Sequence, residues 1–454
     1  MPFLFFGAGA IITILMGFFQ FRHFGYIVKN TIGKISEARK GKGPGIVSQF
    51  AAWATATGAT IGMGNIAGVA SAIALGGPGA VFWMWMAALF GMAIKMAEII
   101  LGIKYREVLP DGRAYGGPPY YIKKGLGEER GWPAWAWKTL AFLFTITFCS
   151  TAIVSMANYT IMEGAMTCFN LTKEQAIIVG FIYALLVALI CIGFIPRVAR
   201  VAEFLIPLMV IIYIGGGLGV IIANYDKIPR AIADIFTYAF TPLAPIGGFA
   251  GATIAKAIQV GVARAVYSNE AGWGSAPHIH ATAKVEYPMQ QAIWGAMEVF
   301  VDTIIVCTIT ALIVTTTRVW ETGYGGVTAV LTAFRSVYGP IAPIILYITL
   351  FIFVLTTSIG WYTYYEVEAR FWLENKPKAR DIVIRFFQVG SPFIIWIVCA
   401  LGIYAGIVPA VFWIIGDITS GIPVYINLIV LLLLSPVIYR EVKEFREKIL
   451  KTGK

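Results

Sequence analysis

The chain is poor in charge. Asp, Glu, Lys and Arg make up only 13% of its 454 residues, against 58% hydrophobic ones, where a soluble globular domain carries about 25% charge. Histidine is scarce, with three in the whole sequence. The cysteines, Cys149, Cys168, Cys191, Cys307 and Cys399, form no Cys-x-x-Cys pair and sit mostly in apolar runs. They read as small buried hydrophobes, not as a disulfide or zinc framework. No Gly-x-x-x-x-Gly-Lys-Ser/Thr loop occurs, so nothing suggests ATP drive. No nucleophile–base arrangement points to an enzyme. No basic stretch precedes the first apolar run, which starts at Phe3 and is followed by Arg22 and His23. That run reads as a first transmembrane helix and not as a cleaved signal peptide.

What is abundant is apolar sequence in runs of about 20 residues, the length that crosses a bilayer as a helix. Eleven candidate transmembrane helices are expected, at roughly 3–21, 48–74, 79–104, 137–160, 174–194, 200–222, 246–277 (broken), 288–316, 341–365, 382–404 and 417–439. The expected fold class is an all-α polytopic membrane protein. The net charge of +11 comes from basic residues in loops, so membrane topology explains it and no nucleic-acid partner is implied. One set of alternate loops holds most of them, among others Arg22 to Lys42, Lys104 to Arg130, Arg197, Arg200, Lys284, Arg370 to Arg380, and Arg440 to Lys454. The opposite set holds Lys173, Lys227, Arg230, Arg318 and Arg335. The positive-inside rule then places a multi-pass protein in the cell membrane with its N-terminus outside and its C-terminus cytoplasmic.

Two spans are interrupted by glycine at matching places, Gly58 to Gly68 and Val266 to Pro277. Glycine frees backbone N–H and C=O groups that must find partners in the protein or in a wet cavity. Paired interruptions half a chain apart mark the central site of a secondary transporter. Spans two to six and seven to eleven form two sets of five, each opening on a broken helix. An odd number of spans turns the second set upside down. The expected organisation is an inverted 5+5 repeat: 1–45 as an extra N-terminal helix and cytoplasmic loop, 46–225 and 226–440 as the repeats, and 441–454 as a cytoplasmic tail.

The first break, Ala59-Thr60-Ile61-Gly62-Met63-Gly64-Asn65-Ile66-Ala67-Gly68-Val69-Ala70, with Gly76-Gly77-Pro78-Gly79-Ala80-Val81-Phe82-Trp83-Met84-Trp85 after it, resembles the signature of the alanine or glycine:cation symporter family. So do Gly116-Gly117-Pro118-Pro119-Tyr120-Tyr121, Ser268-Asn269-Glu270-Ala271-Gly272, Asp302-Thr303 with Cys307-Thr308, and Gly360-Trp361. The matches run in order along nearly the whole chain. The resemblance implies a leucine-transporter-like fold with one added helix and sodium-coupled uptake of a small neutral amino acid, with alanine or glycine first. Two places depart from the family pattern. Met63 stands where threonine is usual, and Val154 to Thr160 replaces a Gly-Asn-x-x-Gln-x-Asn stretch in the fourth span.

A zwitterion needs donors for its carboxylate and acceptors for its ammonium. The half-helix starting near Gly64 offers N–H groups and a positive dipole end, and carbonyls near Ala59, Thr60 and Tyr267 offer acceptors. The expected substrate contacts are Thr60, Gly62, Met63, Gly64, Tyr267, Asn269, Thr357 and Trp361. Gly58 and Gly68 fit close helix packing equally well. Sodium favours hard oxygen ligands. The resemblance places one sodium at the carbonyls of Ala59 and Gly62 with Thr356 and Thr357; membrane threonines also bond back to their own helix. No organic cofactor is expected, and the oligomeric state is left open.

Other charges fall inside apolar runs. Lys95 and Glu98 are three apart and can pair on one face. Glu298 and Asp302 share a face that points inward, to bond Lys256 or Arg264, touch a second cation, or relay a proton. A structural role is expected for Glu270, and a surface or capping role for His278 and His280. Proton coupling through Glu298, Asp302 or Glu270, or a larger neutral substrate, is the alternative within transport. A channel would need a continuous polar lining, and a sensor would need a signalling domain larger than the residues after Arg440.

Overall fold

In hydrocarbon a backbone N–H finds its partner within its own segment only in a helix, and the chain is built almost wholly of helices. The structure is a computed structural model that describes residues 1–153, 155–407 and 409–447. Its principal helices are α1 (Pro2–Leu15), α2 (Gln49–Thr60), α3 (Gly64–Gly76), α4 (Gly79–Lys104), α5 (Ala134–Cys149), α6 (Met156–Phe169), α7 (Lys173–Cys191) and α8 (Phe194–Ala223). They continue with α9 (Ile228–Phe240), α10 (Ile254–Asn269), α11 (Ala276–His280), α12 (Met289–Thr316), α13 (Gly326–Tyr338), α14 (Ala342–Trp372), α15 (Pro377–Tyr404), α16 (Pro409–Leu433) and α17 (Ser435–Phe445). One short hairpin, Glu107–Val108 against Ala114–Tyr115, lies in the loop after α4.

Among the described residues, 7 helices are long and apolar enough to cross a membrane, or up to 9 if each bent pair is one span. The count falls short of the expected eleven for identifiable reasons. The first run stops as a 14-residue helix, because Gly17 (φ 64°) and Phe18 (φ 59°) turn left-handed. The seventh run does not begin at 246. Residues Leu243 and Ala252 pair in a loop instead, and α10 starts where Thr253 Oγ1 accepts from Lys256 N at 3.2 Å. The fourth run is also interrupted. It ends at Cys149, passes a 3-10 turn at Ser150–Ala152, and restarts where Ser155 Oγ caps Ala157 N. Of the Val154 to Thr160 stretch, Val154 lies outside the described residues, as do Lys448, Lys451 and Lys454 of the tail. The last span bends by 62° between Leu433 and Ser435.

Packing places the two breaks together. The strongly buried α4 runs along α10 and α12, and α14 runs along α2, α6 and α8. The broken pair α2–α3 therefore touches α14 on one side and α10 on the other. Helices α9 and α13, which hydropathy does not single out, cover the end that carries few basic residues. There Trp83 Nε1 of α4 donates to Ala239 O of α9 at 3.1 Å.

Candidate functional site

The chain leaves α2 at Thr60. Ile61 is extended (φ −72°, ψ 97°), and the helix resumes at Gly64, turned by 47°. Asn65 stitches the gap: its Oδ1 accepts from Gly62 N at 2.8 Å, and its N donates to Gly62 O at 3.2 Å. Glycine is required here for approach. A Cβ on Gly62 would overlap Thr357 Oγ1, and one on Gly360 would lie 2.7 Å from Ala59 Cβ. The second break follows Asn269. Glu270 is left-handed (φ 55°), as are Gly272 and Gly274, before α11 begins.

A cavity of about 90 Å³ lies between the breaks. At about 15 Å³ for each water-sized occupant it holds on the order of six, close to the size of a small amino acid. Its walls come from Ala59, Thr60, Gly62, Met63 and Gly64 of the first break and Tyr267, Glu270 and Trp273 around the second. Further walls are Met156 to Asn158 of α6, Tyr183 and Cys191 of α7, Thr357, Ser358, Trp361 and Tyr365 of α14, and Ser391 of α15.

Most of the residues expected from the sequence meet here. Thr357 Oγ1 donates to Gly58 O at 3.3 Å and sits against Gly62, so a hydroxyl and the carbonyl end of α2 converge as hard oxygen ligands would. Trp361 donates from Nε1 to Glu270 Oε1 at 2.8 Å and packs edge-on to Trp273 at 5.0 Å. Met63 Sδ is 3.5 Å from Thr160 Oγ1. The two departures from the family pattern thus touch each other at one wall. Thr60 faces the cavity while its hydroxyl bonds back to Thr57 O at 3.1 Å.

Two expected residues are not brought to the cavity. Asn269 points elsewhere: Nδ2 donates to Thr303 Oγ1 at 3.0 Å and Oδ1 accepts from Ala271 N at 3.0 Å. Its side chain shapes the break. Thr356 bonds back to Ile352 O at 3.0 Å and Phe353 O at 2.9 Å, because its neighbour Thr357 takes the cavity side. Glu270, Trp273, Ser358 and Tyr183 join the site; Ser358 Oγ is 2.6 Å from Tyr183 OH. In the sequence Ser358 extends the polar run Thr356-Thr357-Ser358, whereas no local feature marks Tyr183.

The buried charges pair differently from the sequence expectation. Lys95 does not bond Glu98. Its Nζ lies 3.0 Å from Glu298 Oε1 and donates to Asn269 O, the end of α10, at 2.8 Å. Glu98 Oε1 instead accepts from Gly274 N at 2.8 Å and Asn427 Nδ2 at 2.6 Å. Glu298 meets neither Lys256 nor Arg264; besides Lys95 it accepts from His280 Nε2 at 3.0 Å. Asp302 is ringed by Asn65 Nδ2 (2.6 Å), Ser268 Oγ (3.0 Å) and Thr303 Oγ1 (2.7 Å). His278 and His280 are fully buried, which overturns the surface reading. His278 Nε2 faces Glu368 Oε1 at 2.8 Å. Glu270 holds Ser275 Oγ at 2.5 Å as well as Trp361, in line with a structural role. The second break is thus held by side chains from α4, α14 and α16.

A helical bundle around two broken helices with a small central cavity can now be set beside known proteins. Residues 1–454 match the sodium:alanine symporter family. A protein of Haemophilus influenzae named an uncharacterized transporter is 37% identical over 446 residues, covering 98% of this chain and 92% of its own. The sodium/alanine symporter AgcS of Methanococcus maripaludis is 36% identical over 450 residues, covering 97% and 93%. Among solved structures, that of MhsT in complex with L-phenylalanine superposes with a TM-score of 0.63 at 13% identity, covering 87% of this chain and 90% of the other; this likeness concerns the fold alone. The relatives are transporters, and enzymatic chemistry is not their role. The chain belongs to the sodium:alanine symporter family.

Proposed function

We propose that the protein is a sodium-coupled symporter for a small neutral amino acid, working by alternating access. The observation that carries this reading is the cavity of about 90 Å³ between the breaks at Ile61–Gly64 and Glu270–Ser275. The α3 N-terminus supplies N–H groups and a positive dipole end for the substrate carboxylate. Carbonyls of Ala59, Thr60 and Tyr267 accept from the ammonium. Sodium binds at the α2 carbonyl end with Thr357, where the Oγ1 to Gly58 O contact of 3.3 Å already joins two oxygen ligands; Ala59 and Gly62 carbonyls complete the set. Asn269 and Thr356 act as supports for the break and for α14.

The inverted relation of 46–225 and 226–440, the extra helix in 1–45, and an N-terminus outside with a cytoplasmic tail belong to the same reading. Its support is the pairing of the breaks and the alternation of basic loops. The size of the cavity favours alanine or glycine.

The test is thermal unfolding of the detergent-purified protein with a panel of amino acids, each with and without sodium. A ligand of the native state raises the midpoint by mass action. Stabilisation by one or a few small neutral amino acids, larger in sodium, is the expected result. No response to any amino acid in sodium would overturn the assignment.

A further inference from the structure

A positive corner lies far from the cavity, where the first helix breaks. Gly17 and Phe18, both left-handed, end the apolar stretch whose Ile11 and Ile14 face outward. The next turn presents Phe18 and Phe21, 42% and 45% exposed, with the Arg22 guanidinium 5.7 Å from the centre of the Phe18 ring. The C-terminal helix α17 docks on this corner. Phe445 is buried against Phe19, Tyr26 and Tyr287 with ring centres 6.1, 6.0 and 6.2 Å away. That packing lays the next residue, Arg446, across the break: a Cβ on Gly17 would be 2.8 Å from its Nη1. The His23 ring meets Phe19 at a tilt, with ring centres 4.8 Å apart. Burial holds its imidazole below the usual histidine range, and the charges of Arg446 and Arg22 push it the same way. The field at this corner is therefore positive.

We propose that Arg22, His23 and Arg446 form a headgroup site for an anionic phospholipid, with the phosphate between the two guanidiniums and an acyl chain along Phe18 and Phe21. A guanidinium stays charged at any working pH and binds phosphate oxygens in a fork. Arg22 and Arg446 come from opposite ends of the chain and both charges act on His23, so an anion bound at this corner would offset their mutual repulsion. The exposed phenylalanines favour a lipid over a free anion, because only a lipid supplies hydrocarbon to cover them. The site also sits where an outward apolar helix face stops, which is the depth of headgroups. Binding there ties the first helix to the last.

The experiment is thermal unfolding of the full-length protein in a neutral detergent, titrated with phosphatidylglycerol or phosphatidylcholine. Stabilisation by phosphatidylglycerol alone is expected. Each basic residue at a membrane surface contributes a factor of about five, so Arg22→Gln with Arg446→Gln moves half-maximal stabilisation about 25-fold higher. Lys227→Gln, exposed in the opposite set of loops, leaves it in place. The proposal is overturned if the double variant responds like the parent, if Lys227→Gln weakens the response equally, or if inorganic phosphate alone reproduces it. If the double variant does not fold, native mass spectrometry of Arg446→Gln decides: loss of the bound phosphatidylglycerol supports the site, and its retention overturns it.

Discussion

At the scale of single residues, adjacent side chains on one helix do opposite jobs. Successive residues of a helix point about 100° apart, so Thr356 and Thr357 face different neighbours, and spacing alone does not say which of them meets the cavity. Thr357 Oγ1 reaches Gly58 O, while Thr356 bonds back to Ile352 O and Phe353 O. Removing an oxygen that contacts a cation costs about 1.5–3 kcal/mol. Thr357→Val is therefore expected to raise the sodium concentration for half-maximal amino-acid stabilisation about ten- to a hundredfold, and Thr356→Val to leave it nearly unchanged. Equal effects would remove Thr357 from the ion site. Met63 lines the cavity beside Thr160. Shortening it by Met63→Thr opens space for a larger side chain, and one methylene in an apolar pocket discriminates by about tenfold or more. Competition uptake should then shift by about that factor from glycine toward larger neutral amino acids; an unchanged profile would show that Met63 does not shape the pocket. The place of the first break was legible because three glycines, Gly58, Gly62 and Gly64, cluster in one apolar run. The direction of the Asn269 side chain was not legible, because it bonds Thr303 and Ala271, and only the fold brings Thr303 near.

At the scale of elements, the seam between α4, α10 and α12 explains why the charges could be seen but not paired. Lys95 and Glu98 share a face, and an i, i+3 pair follows from geometry on an isolated helix. In the bundle that face is an interface, and each charge takes a partner from another helix: Glu298 and Asn269 O for Lys95, Gly274 N and Asn427 for Glu98. Long-range pairing of this kind leaves no trace in spacing. The broken helices were legible, since interruption is local. The fourth-span break at Ser150–Ala152 was not, because its Thr and Ala residues look like ordinary helix. The buried Lys95–Glu298 pair carries a sharp expectation. Removing one partner strands a charge in the interior, at a cost of about 3–5 kcal/mol, whereas removing both is far milder. Lys95→Met should lower the unfolding midpoint steeply, and adding Glu298→Gln should recover much of the loss. A double variant as unstable as Lys95→Met would mean that the bond to Asn269 O, and not the ion pair, holds the break.

At the scale of the whole molecule, the direction of the cavity joins the electrostatics of the loops to the transport cycle. From the breaks the cavity extends toward Cys191, Tyr365 and Ser391. Cys191 ends α7, Tyr365 lies two turns before the end of α14 and Ser391 lies midway along α15, so the cavity leans toward Arg197 and Arg370, the basic end. At the other end the loops close on each other: Gly248 N donates to Glu321 O at 2.6 Å, and the Phe249 and Trp320 rings meet at 5.5 Å. If basic loops lie inside the cell, this is a conformation shut to the outside with its cavity turned toward the cytoplasm. In a variant lacking the native cysteines, Ser391→Cys should react with an impermeant thiol reagent in inside-out vesicles and hardly at all in right-side-out ones. Sodium with the transported amino acid should change that rate, since ligands that bind one conformation more tightly shift the population toward it, while either alone should change it less. Reaction only from the outer face would reverse the topology read from the loops. A rate indifferent to sodium and amino acid together would detach the cavity from the transport path, because cargo bound there would shield Ser391 or favour the conformation that covers it.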